Sequence, residues 1–305
     1  MTQRVLITGA ASGLGAALAA AYARRGAQLL VTDRSPTPPD NLPDGASYLP
    51  LDVTSDADWQ RALSWATERW DGLDILVNNA GVAAGGRVDT LTVDDWRWVT
   101  EINLFGVVRG CRTFTPLFKS QGHGHLVNTA SLAGLVHPPA MSSYNAVKAA
   151  VVALSETLRH ELEPHGVTCS VVCPSFFRTN LARSLPGSDP LMETIATKLI
   201  TRAPHSAEEI AARVLHGVDR RRPMILTDRA GRRAYWAKRL LSPLYHRQMR
   251  QFGARVQAEA RRTAARSDTT TPDQPPGAPS DAVSDAASEG ASSAAHDTTS
   301  PGGTA

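Results

Sequence analysis

The sequence is poor in cysteine, with three among 305 residues, and none has the spacing to other ligand-forming residues that a metal site requires. Cys169 and Cys173 fall in an apolar stretch, which predicts buried thiols in a reducing compartment. No uncharged apolar run reaches the roughly 18 residues that a membrane-spanning helix needs. Because the first predicted strand begins at Arg4, we also expect no signal peptide and a cytoplasmic location.

Residues 267–305 lack aromatic residues, Lys and Arg, and they contain six acidic residues. Such a composition cannot bury a hydrophobic core, so we expect a disordered low-complexity tail. The preceding stretch, 213–266, has the opposite bias, with fifteen Lys or Arg against three acidic residues. We therefore divide the chain into a catalytic domain at 1–228, a basic amphipathic helical extension at 229–266, interrupted at Pro243, and the tail at 267–305.

Apolar strands alternate with helical patterns through most of the predicted domain. The predicted strands are RVLITG, QLLVTD, ASYLPLDV, LDILVNNAG, GHLVNTAS, VTCSVVCP and PMILT. Strands that alternate with helices and are apolar almost throughout indicate a parallel sheet covered on both faces. The sequence predicts a single α/β domain with a Rossmann-type doubly wound parallel sheet. From Phe176 to Ser206 the pattern weakens, and we expect a flexible cover over a site there.

A glycine-rich turn joins the first strand to the first helix. Gly9, Gly13 and Gly15 follow the spacing GxxxGxG, which lets a pyrophosphate approach the N-terminus of the helix. Asp33 closes the second strand, where a carboxylate accepts hydrogen bonds from the adenosine ribose and repels a 2′-phosphate. Arg34 beside it could instead pair with that phosphate. The sequence therefore favours NAD as cofactor, with NADP as the alternative.

Tyr144 and Lys148 lie four residues apart in a predicted amphipathic helix, so they share one face. A buried ring under a Lys that reaches solvent is one interpretation. The other is a phenol that exchanges protons near neutral pH. His137 lies between this helix and the fifth strand, where it either contacts a polar substrate group or is a partly exposed loop residue. For His123 and His125 we expect a solvated turn.

The motifs TGAASGLG, NNAG and YNAVK occur together and in this order. From about residue 4 to residue 227 the chain resembles the short-chain dehydrogenases/reductases, in the branch with GxxxGxG and YxxxK. The resemblance implies an NAD(P)-dependent oxidoreductase that interconverts a primary or secondary alcohol and its aldehyde or ketone. It also implies Tyr144 as general acid and base, Ser131 as donor to the substrate oxygen and Asn103 as organiser of a relay water. Lys148 would hold the nicotinamide ribose and lower the pKa of Tyr144.

The same resemblance implies a set of cofactor contacts distributed along the chain. They are Gly9, Ser12, Gly13, Leu14, Gly15, Asp33, Arg34, Asp52, Val53, Asn79, Ala80, Gly81, Tyr144, Lys148, Pro174 and Thr179. Two positions depart from the family pattern, because Ser175 replaces the usual Gly and Val147 replaces the usual Ser before the Lys. Neither change removes a reacting group, so we expect both to affect pocket shape rather than chemistry.

Apolar residues in the predicted cover indicate a lipophilic alcohol or ketone as substrate. They are Phe176, Phe177, Leu181, Leu185, Leu191 and Met192. An alternative function is a non-catalytic dinucleotide sensor or scaffold, although a sensor would need only the glycine loop. The helices at 94–119 and around Tyr144 are more apolar than one sheet face requires, and in the family such helices pair between subunits. We therefore expect a homodimer or homotetramer.

The extension at 229–266 interleaves Arg with aromatic and aliphatic residues. Such a helix suits the interface of an anionic membrane, which would give a peripheral membrane location. Packing against the enzyme itself or against a second subunit is an equal alternative. No nucleic-acid-binding motif accompanies the charge, so we expect no nucleic-acid partner.

Overall fold

A computed structural model of the chain describes residues 2–185 and 188–268. The chain divides into a compact unit from Met1 to Ala264 and a second unit from Ala265 to Ala305. Of the second unit, only the residues up to Asp268 are described, as the end of a helix. The tail is predicted from the sequence to be disordered, and its residues beyond Asp268 lie outside the described part of the chain.

Seven strands form one parallel sheet in the order β3-β2-β1-β4-β5-β6-β7. The strands are β1 Arg4–Thr8, β2 Gln28–Asp33, β3 Ser47–Pro50, β4 Ile75–Asn78, β5 Gly124–Thr129, β6 Val167–Cys173 and β7 Met224–Leu226. All seven were predicted, and the predicted Rossmann-type doubly wound fold is confirmed. The strand order reverses between β1 and β4, and in such sheets ligands bind beyond the carboxyl ends of the strands at this point.

Helices cover both faces of the sheet. They are α1 Gly13–Ala23, α2 Asp56–Trp70, α3 Val93–Thr100, α4 Gly106–Gln121, α5 Ala133–Val136, α6 Ser142–Leu162, α7 Pro190–Thr201, α8 Ala207–Asp219, α9 Arg229–Leu240 and α10 Ser242–Asp268. Short 3₁₀ turns lie at Glu163–His165 and Asn180–Ser184. Within the described ranges, no helix combines the length and the apolar composition that crossing a membrane would take.

The hydrophobic core has one layer on each side of the sheet. On one side α1 and α8 pack against the strands, with Leu18 and Val214 almost completely buried. On the other side α2, α4 and α6 pack around Trp59, Phe114 and Phe118, none of which is exposed to solvent. Both faces of the sheet are therefore shielded from solvent, which explains the continuous apolar sequence of the strands.

Several helix starts follow from local sequence. Thr92 and Asp95 form a capping box at α3, and Ser206 and Glu209 form a second one at α8. At α2 the Ser55 hydroxyl accepts a hydrogen bond from the backbone N–H of Asp58. These caps satisfy N–H groups that the helix itself leaves unpaired.

Three regions differ from the sequence-based expectation. The helical pattern after Thr92 is interrupted by a π-helical segment, Glu101–Phe105, between α3 and α4. The cover at 176–206 contains an ordered helix, α7, whose N-terminus is capped by the Asp189 side chain. The solvated turn expected at His125 is wrong, because this residue lies in β5 and is buried, with its Nε2 2.8 Å from Ser170 Oγ. Burial lowers the pKa of His125 to about 4.

The basic extension forms the two helices α9 and α10, with the break at Leu241, so that Pro243 stands in the first turn of α10. Tyr245 and Val256 of α10 are buried within the compact unit. Other large apolar residues around the break are more than half exposed, namely Trp236, Leu240, Leu241 and Leu244. The extension therefore packs on the body along one face and leaves an apolar corner in solvent. Its separation from the catalytic domain at residue 228 stays a prediction.

Candidate active site

One cavity of about 1310 Å³ opens at the carboxyl ends of the strands. Most of the predicted site residues line it, and these are Gly9, Ser12, Gly13, Leu14, Asp33, Arg34, Asp52, Val53, Asn79, Ala80, Gly81, Ser131, Tyr144, Lys148, Pro174 and Thr179. Of the predicted set, only Gly15 and Asn103 are absent from the lining. The fold thus gathers residues from seven separate segments around a single space.

The glycine loop is packed too closely for side chains. Gly9 has a φ of +64°, and a Cβ there would lie 2.6 Å from the Cα of Ala80. At Gly15 a Cβ would lie 2.3 Å from the carbonyl oxygen of Gly9, inside van der Waals contact. Gly15, in the first turn of α1, therefore does not line the cavity but allows the helix to pack directly against the loop.

The N-terminus of α1 points its free N–H groups toward the cavity. Ser12 is the N-cap residue, and its side chain makes no capping hydrogen bond. A Cβ on Gly13 would lie 2.7 Å from Thr179 Oγ1, so the two residues leave a narrow cradle at this helix end. Unpaired N–H groups and the helix dipole favour a bound anion, and the space above glycine allows its close approach. These residues fit the pyrophosphate of a dinucleotide.

The β4 end is tied to the glycine loop by hydrogen bonds. The Asn79 side-chain amide donates to the carbonyl oxygens of Thr8 and Gly9, at 2.9 and 3.2 Å. The backbone N–H groups of Asn79 and Ala80 both donate to Thr8 Oγ1 at 3.0 Å. Asn79 and Ala80 therefore hold the floor of the dinucleotide cradle in place.

The adenosine end of the cavity is polar. Asp33 accepts hydrogen bonds from the backbone N–H groups of Ala11 and Arg34, at 3.0 and 2.9 Å. These contacts aim its carboxylate at the loop while leaving it partly exposed, and the Arg34 side chain is exposed beside it. The Asp52 carboxylate is engaged by the N–H and hydroxyl of Thr54. The arrangement fits a ribose with free hydroxyls at Asp33.

Tyr144 and Lys148 are both buried at the inner end of the cavity. Lys148 Nζ lies 5.9 Å from the centre of the Tyr144 ring and donates to the carbonyl oxygen of Thr129 at 2.9 Å. Burial lowers the pKa of Lys148 to about 8. Burial raises the pKa of Tyr144 above its usual value, although a hydrogen bond with Ser131 acts in the opposite direction. The structure therefore brings the three residues together without the lowered tyrosine pKa that the sequence suggested.

Asn103 lies in the π-helical segment and is completely buried. Its Oδ1 accepts from the backbone N–H of Val82 at 2.8 Å, and its Nδ2 donates to the carbonyl of Val82 at 2.9 Å. A Cβ on Gly81 would lie 2.8 Å from Asn103 Oδ1 and 3.7 Å from Lys148 Nζ. The Asn103 side chain thus holds the segment after β4 against the inner end of the cavity.

Both departures from the family pattern have structural consequences. The Ser175 hydroxyl donates to Asp228 Oδ2 at 2.5 Å, and the other oxygen of Asp228 caps α9 at Gly231. The segment after β6 is thereby joined to the basic extension. Val147 is buried in an apolar cluster that contains Tyr144. It therefore helps to pack the helix that carries the tyrosine.

The outer end of the cavity includes residues that the sequence did not predict. Among them are Trp98 of α3, Met141, and Ala196 and Ile200 of α7. The sequence signal for α7 was available in Asp189–Pro190, an N-cap residue followed by proline in the first turn. The other residues reach the cavity only through tertiary packing, which no local pattern indicated.

His137 is half-buried and is not among the residues that line the cavity. Its Nε2 lies 3.0 Å from the carbonyl oxygen of Gly134, and its Nδ1 lies 2.6 Å from Lys238 Nζ. The ring therefore faces the extension. Within the described residues, no group of three His, Cys, Asp or Glu side chains is arranged to hold a metal ion.

Comparison with known proteins adds to this geometry. The sequence model of the short chain dehydrogenase family matches residues 3–189. A 3-alpha-(or 20-beta)-hydroxysteroid dehydrogenase of Mycobacterium tuberculosis is 32% identical over 185 residues, which are 59% of this chain and 71% of that enzyme. A CLA biosynthesis dehydrogenase/reductase of Lactiplantibacillus plantarum is 36% identical over 187 residues, 58% of this chain and 65% of that protein.

A solved structure shares the fold over a longer range. It is a short chain dehydrogenase/reductase from Burkholderia phymatum in complex with NAD, which is 32% identical to this chain with a TM-score of 0.73. The match covers 80% of this chain and 95% of that protein. The family match ends near the start of α7, so α9 and α10 lie beyond it.

Proposed function

This chain belongs to the short-chain dehydrogenase family of NAD(P)-dependent oxidoreductases that act on CH–OH groups, and we propose that it interconverts a lipophilic alcohol and its ketone or aldehyde with Tyr144 as general acid and base. One observation carries the proposal. A single cavity connects the glycine loop to Ser131 and to the buried pair Tyr144 and Lys148. A dinucleotide held at the loop would share that cavity with the substrate.

The cofactor proposed is NAD, held with its pyrophosphate at Ser12 and Gly13 and its adenosine ribose at Asp33. The nicotinamide accepts or supplies the hydride when the cofactor is bound. Asp33 supports NAD over NADP, because its carboxylate would repel a 2′-phosphate. The NAD complex of the Burkholderia phymatum protein supports the same choice. The family resemblance assigns Thr179 to the nicotinamide carboxamide and matches Pro174 to the proline after the sixth strand.

In the proposed reaction, Tyr144 donates its phenolic proton to the carbonyl oxygen during reduction and accepts the hydroxyl proton during oxidation. Ser131 donates a hydrogen bond to the same substrate oxygen and stabilises the charge that develops there. Lys148 would bind the ribose hydroxyls. Its ammonium stabilises the phenolate, and we propose that the pKa of Tyr144 falls below its value in this structure when the site is filled.

Asn103 is proposed to act on the proton path behind Lys148. Its Oδ1 accepts one hydrogen bond from Val82 and its Nδ2 donates one to Val82, so one N–H and one oxygen lone pair of the side-chain amide remain that could bind a water. This role rests on the family resemblance and on the position of Asn103 next to Gly81 and Lys148.

A lipophilic substrate is supported by the outer end of the cavity. The apolar residues there are Trp98, Met141, Phe176, Phe177, Leu181, Leu185 and Ile200. Apolar surface of this extent favours a ligand with a hydrophobic body and a reacting CH–OH group at the Tyr144 end. The hydroxysteroid dehydrogenase among the relatives is consistent with that class.

The test is a panel of steroid, terpenoid and long-chain alcohols and ketones, assayed with both cofactors. We expect turnover of at least one lipophilic compound in the panel. Tyr144→Phe should reduce that turnover by at least about a thousandfold, because the variant lacks the exchangeable phenolic proton. Its affinity for NADH should stay within about twofold of that of the unaltered protein. Tyr235→Phe on α9 is the matched control and should keep full activity. Cofactor binding without any turnover across the panel would favour the sensor or scaffold alternative, and an active Tyr144→Phe variant would refute the mechanism.

Self-association is proposed through the α3–α4 and α6 surfaces, where Val93 and Phe105 are 66% and 46% exposed. Sedimentation at micromolar concentration should give a dimer or tetramer mass.

Contact of the extension with an anionic membrane is supported by exposed Trp236, Leu240 and Leu241 near Arg239. Vesicles with anionic lipid should then bind the full chain, and neutral vesicles should not.

A further inference from the structure

The loop between β5 and α6, residues 131–141, has two different neighbours. On one side Leu132, Val136 and Met141 line the cavity. On the other side lies the basic extension, which approaches so closely that a Cβ on Gly231 of α9 would lie 3.3 Å from Leu132 Cδ2. On α10, a Cβ on Gly253 would lie 3.6 Å from Pro139. The loop is thus a thin wall between the cavity and the extension.

This loop is conformationally strained. His137 has a φ of +54° and Ala140 a φ of +59°, and these are two of the four non-glycine residues with positive φ in the described chain. Left-handed backbone is unfavourable for an L-residue, least so for His, Asn and Asp and without such relief for Ala. A wall with two such residues needs contacts from outside the loop to keep its shape.

Two side chains of the extension supply three such contacts. Lys238 Nζ donates to the carbonyl oxygen of Leu135 at 2.7 Å and lies 2.6 Å from His137 Nδ1. Burial and the Lys238 charge lower the pKa of His137, so its neutral ring accepts at Nδ1 and donates from Nε2 to Gly134. The Tyr245 hydroxyl donates to the carbonyl oxygen of Val136. Three consecutive loop residues are therefore held from outside.

Contacts from within the domain hold the remainder of the loop. The Asn145 side chain donates to the carbonyl oxygen of Pro138 at 2.8 Å. The backbone N–H of Gly86 donates to the carbonyl oxygen of Ala140 at 2.9 Å. None of these contacts reaches Leu135 or Val136. Leu135 and Val136 belong to α5, where their N–H groups donate to the carbonyl oxygen of Leu132, whereas their own carbonyl oxygens accept from Lys238 and Tyr245 of the extension.

We propose that Lys238 and Tyr245 are positioning residues that hold the loop at Leu135–His137 against the cavity and thereby set the shape of the substrate end. The basic extension is on this view part of the active-site architecture. The effect on catalysis rests on the proposed function, whereas the effect on the loop does not. Neither residue lines the cavity, so both act through the loop.

The test uses the full chain with Lys238→Met and Tyr245→Phe, each of which removes the donor and keeps most of the side-chain bulk. Arg247→Met on the exposed face of α10 and Tyr235→Phe on α9 are the matched controls. Hydrogen–deuterium exchange is followed in residues 131–141. We expect exchange at residues 134–137 to be about tenfold faster in both variants, since a carbonyl is left unpaired in each. Residues 4–33 and both controls should match the unaltered protein.

A kinetic readout follows with the best ketone or alcohol from the panel. The KM for that compound should rise about tenfold in Lys238→Met with kcat within about threefold, and the dissociation constant of NADH should not change. Lys238→Arg, which keeps a cationic donor, should restore most of the affinity. A general loss of packing would instead lower NADH binding and kcat together.

Unchanged exchange at residues 131–141 in both variants would overturn the proposal, and so would an equal increase in the Arg247→Met control. If Lys238→Met does not fold, Tyr245→Phe decides, because it removes a single oxygen atom from a buried ring. If the unaltered protein turns over nothing in the panel, the proposed function fails, while the exchange data still decide whether the extension holds the loop.

Discussion

The two ends of the cavity are held in shape by different parts of the chain. At the cofactor end, glycines allow backbone segments to approach each other directly, as Gly15 does with Gly9. At the substrate end, side chains from distant segments hold the walls, as Lys238 and Tyr245 do for the loop after Ser131. A backbone-built site tolerates few substitutions, whereas a wall held by side chains changes its shape when single residues change.

Helix α7 illustrates the substrate end. It is held over the cavity by an ion pair between Arg87 and Asp189, in which Nε and Oδ2 are 2.9 Å apart. The Asp189 side chain is completely buried and also caps the helix. The Ser184 hydroxyl accepts a hydrogen bond from the N–H of Ala83 at 2.8 Å, and Ser188 donates to Asp95 at 2.7 Å. The cover is thus held by polar contacts with the segment between β4 and α3 and with α3 itself.

The largest effect should come from breaking the cofactor end. In Gly15→Ala, the new Cβ would lie 2.3 Å from the Gly9 carbonyl oxygen, and overpacking of this kind costs about 3 kcal/mol. If the loop takes up that strain, NADH should bind about a hundredfold more weakly in a fluorescence titration. Gly253→Ala in α10, where a Cβ would make only ordinary contact with Pro139 at 3.6 Å, is the control and should bind normally. Normal binding by Gly15→Ala would show that the loop is less rigid than its contacts imply.

A smaller effect should come from breaking the substrate end. In Asp189→Asn, the buried charge that pairs with Arg87 is lost. We expect the free energy of unfolding to fall by about 2 kcal/mol, because the Asp189 side chain is buried whereas the Arg87 side chain is 34% exposed. Thermal denaturation and the KM of the best substrate should both report the change, with NADH affinity retained.

Asp94→Asn provides the matched control for that variant. It removes the same charge from an ion pair with Arg97 in which both side chains are largely exposed. Such pairs contribute less than about 1 kcal/mol. Equal losses of stability in the two variants would mean that the buried pair does not hold the cover.

The smallest effect should come from changing cofactor selectivity without changing shape. Asp33→Asn keeps an oxygen that can accept the Ala11 N–H and removes the negative charge. The ratio of NAD to NADP affinity should fall about tenfold, since the repulsion of a 2′-phosphate is lost. Binding titrations with both cofactors measure this ratio. A ratio that favours NADP in the unaltered protein would mean that Arg34 outweighs Asp33.

Much of the cofactor end could be read from the sequence. The spacing of Gly9, Gly13 and Gly15 between a strand and a helix predicted the loop, and its position at the carboxyl edge of the sheet is confirmed. The residue pair Tyr144 and Lys148 could be placed on one helix face by spacing alone. Its burial and the pKa directions could not, because both depend on the strands and loops that enclose the pair.

The sequence by itself determined the parallel α/β fold, the glycine loop and the polar residues at the carboxyl ends of the strands, because each depends on local periodicity or on glycine spacing. Tertiary structure decided the buried state of His125, the π-helical position of Asn103 and the contacts of Lys238 and Tyr245 with the loop after Ser131. Lys238 reaches Leu135 across 103 residues of sequence. A hydrogen bond over that separation depends on how whole helices pack, and no local pattern in the chain encodes it.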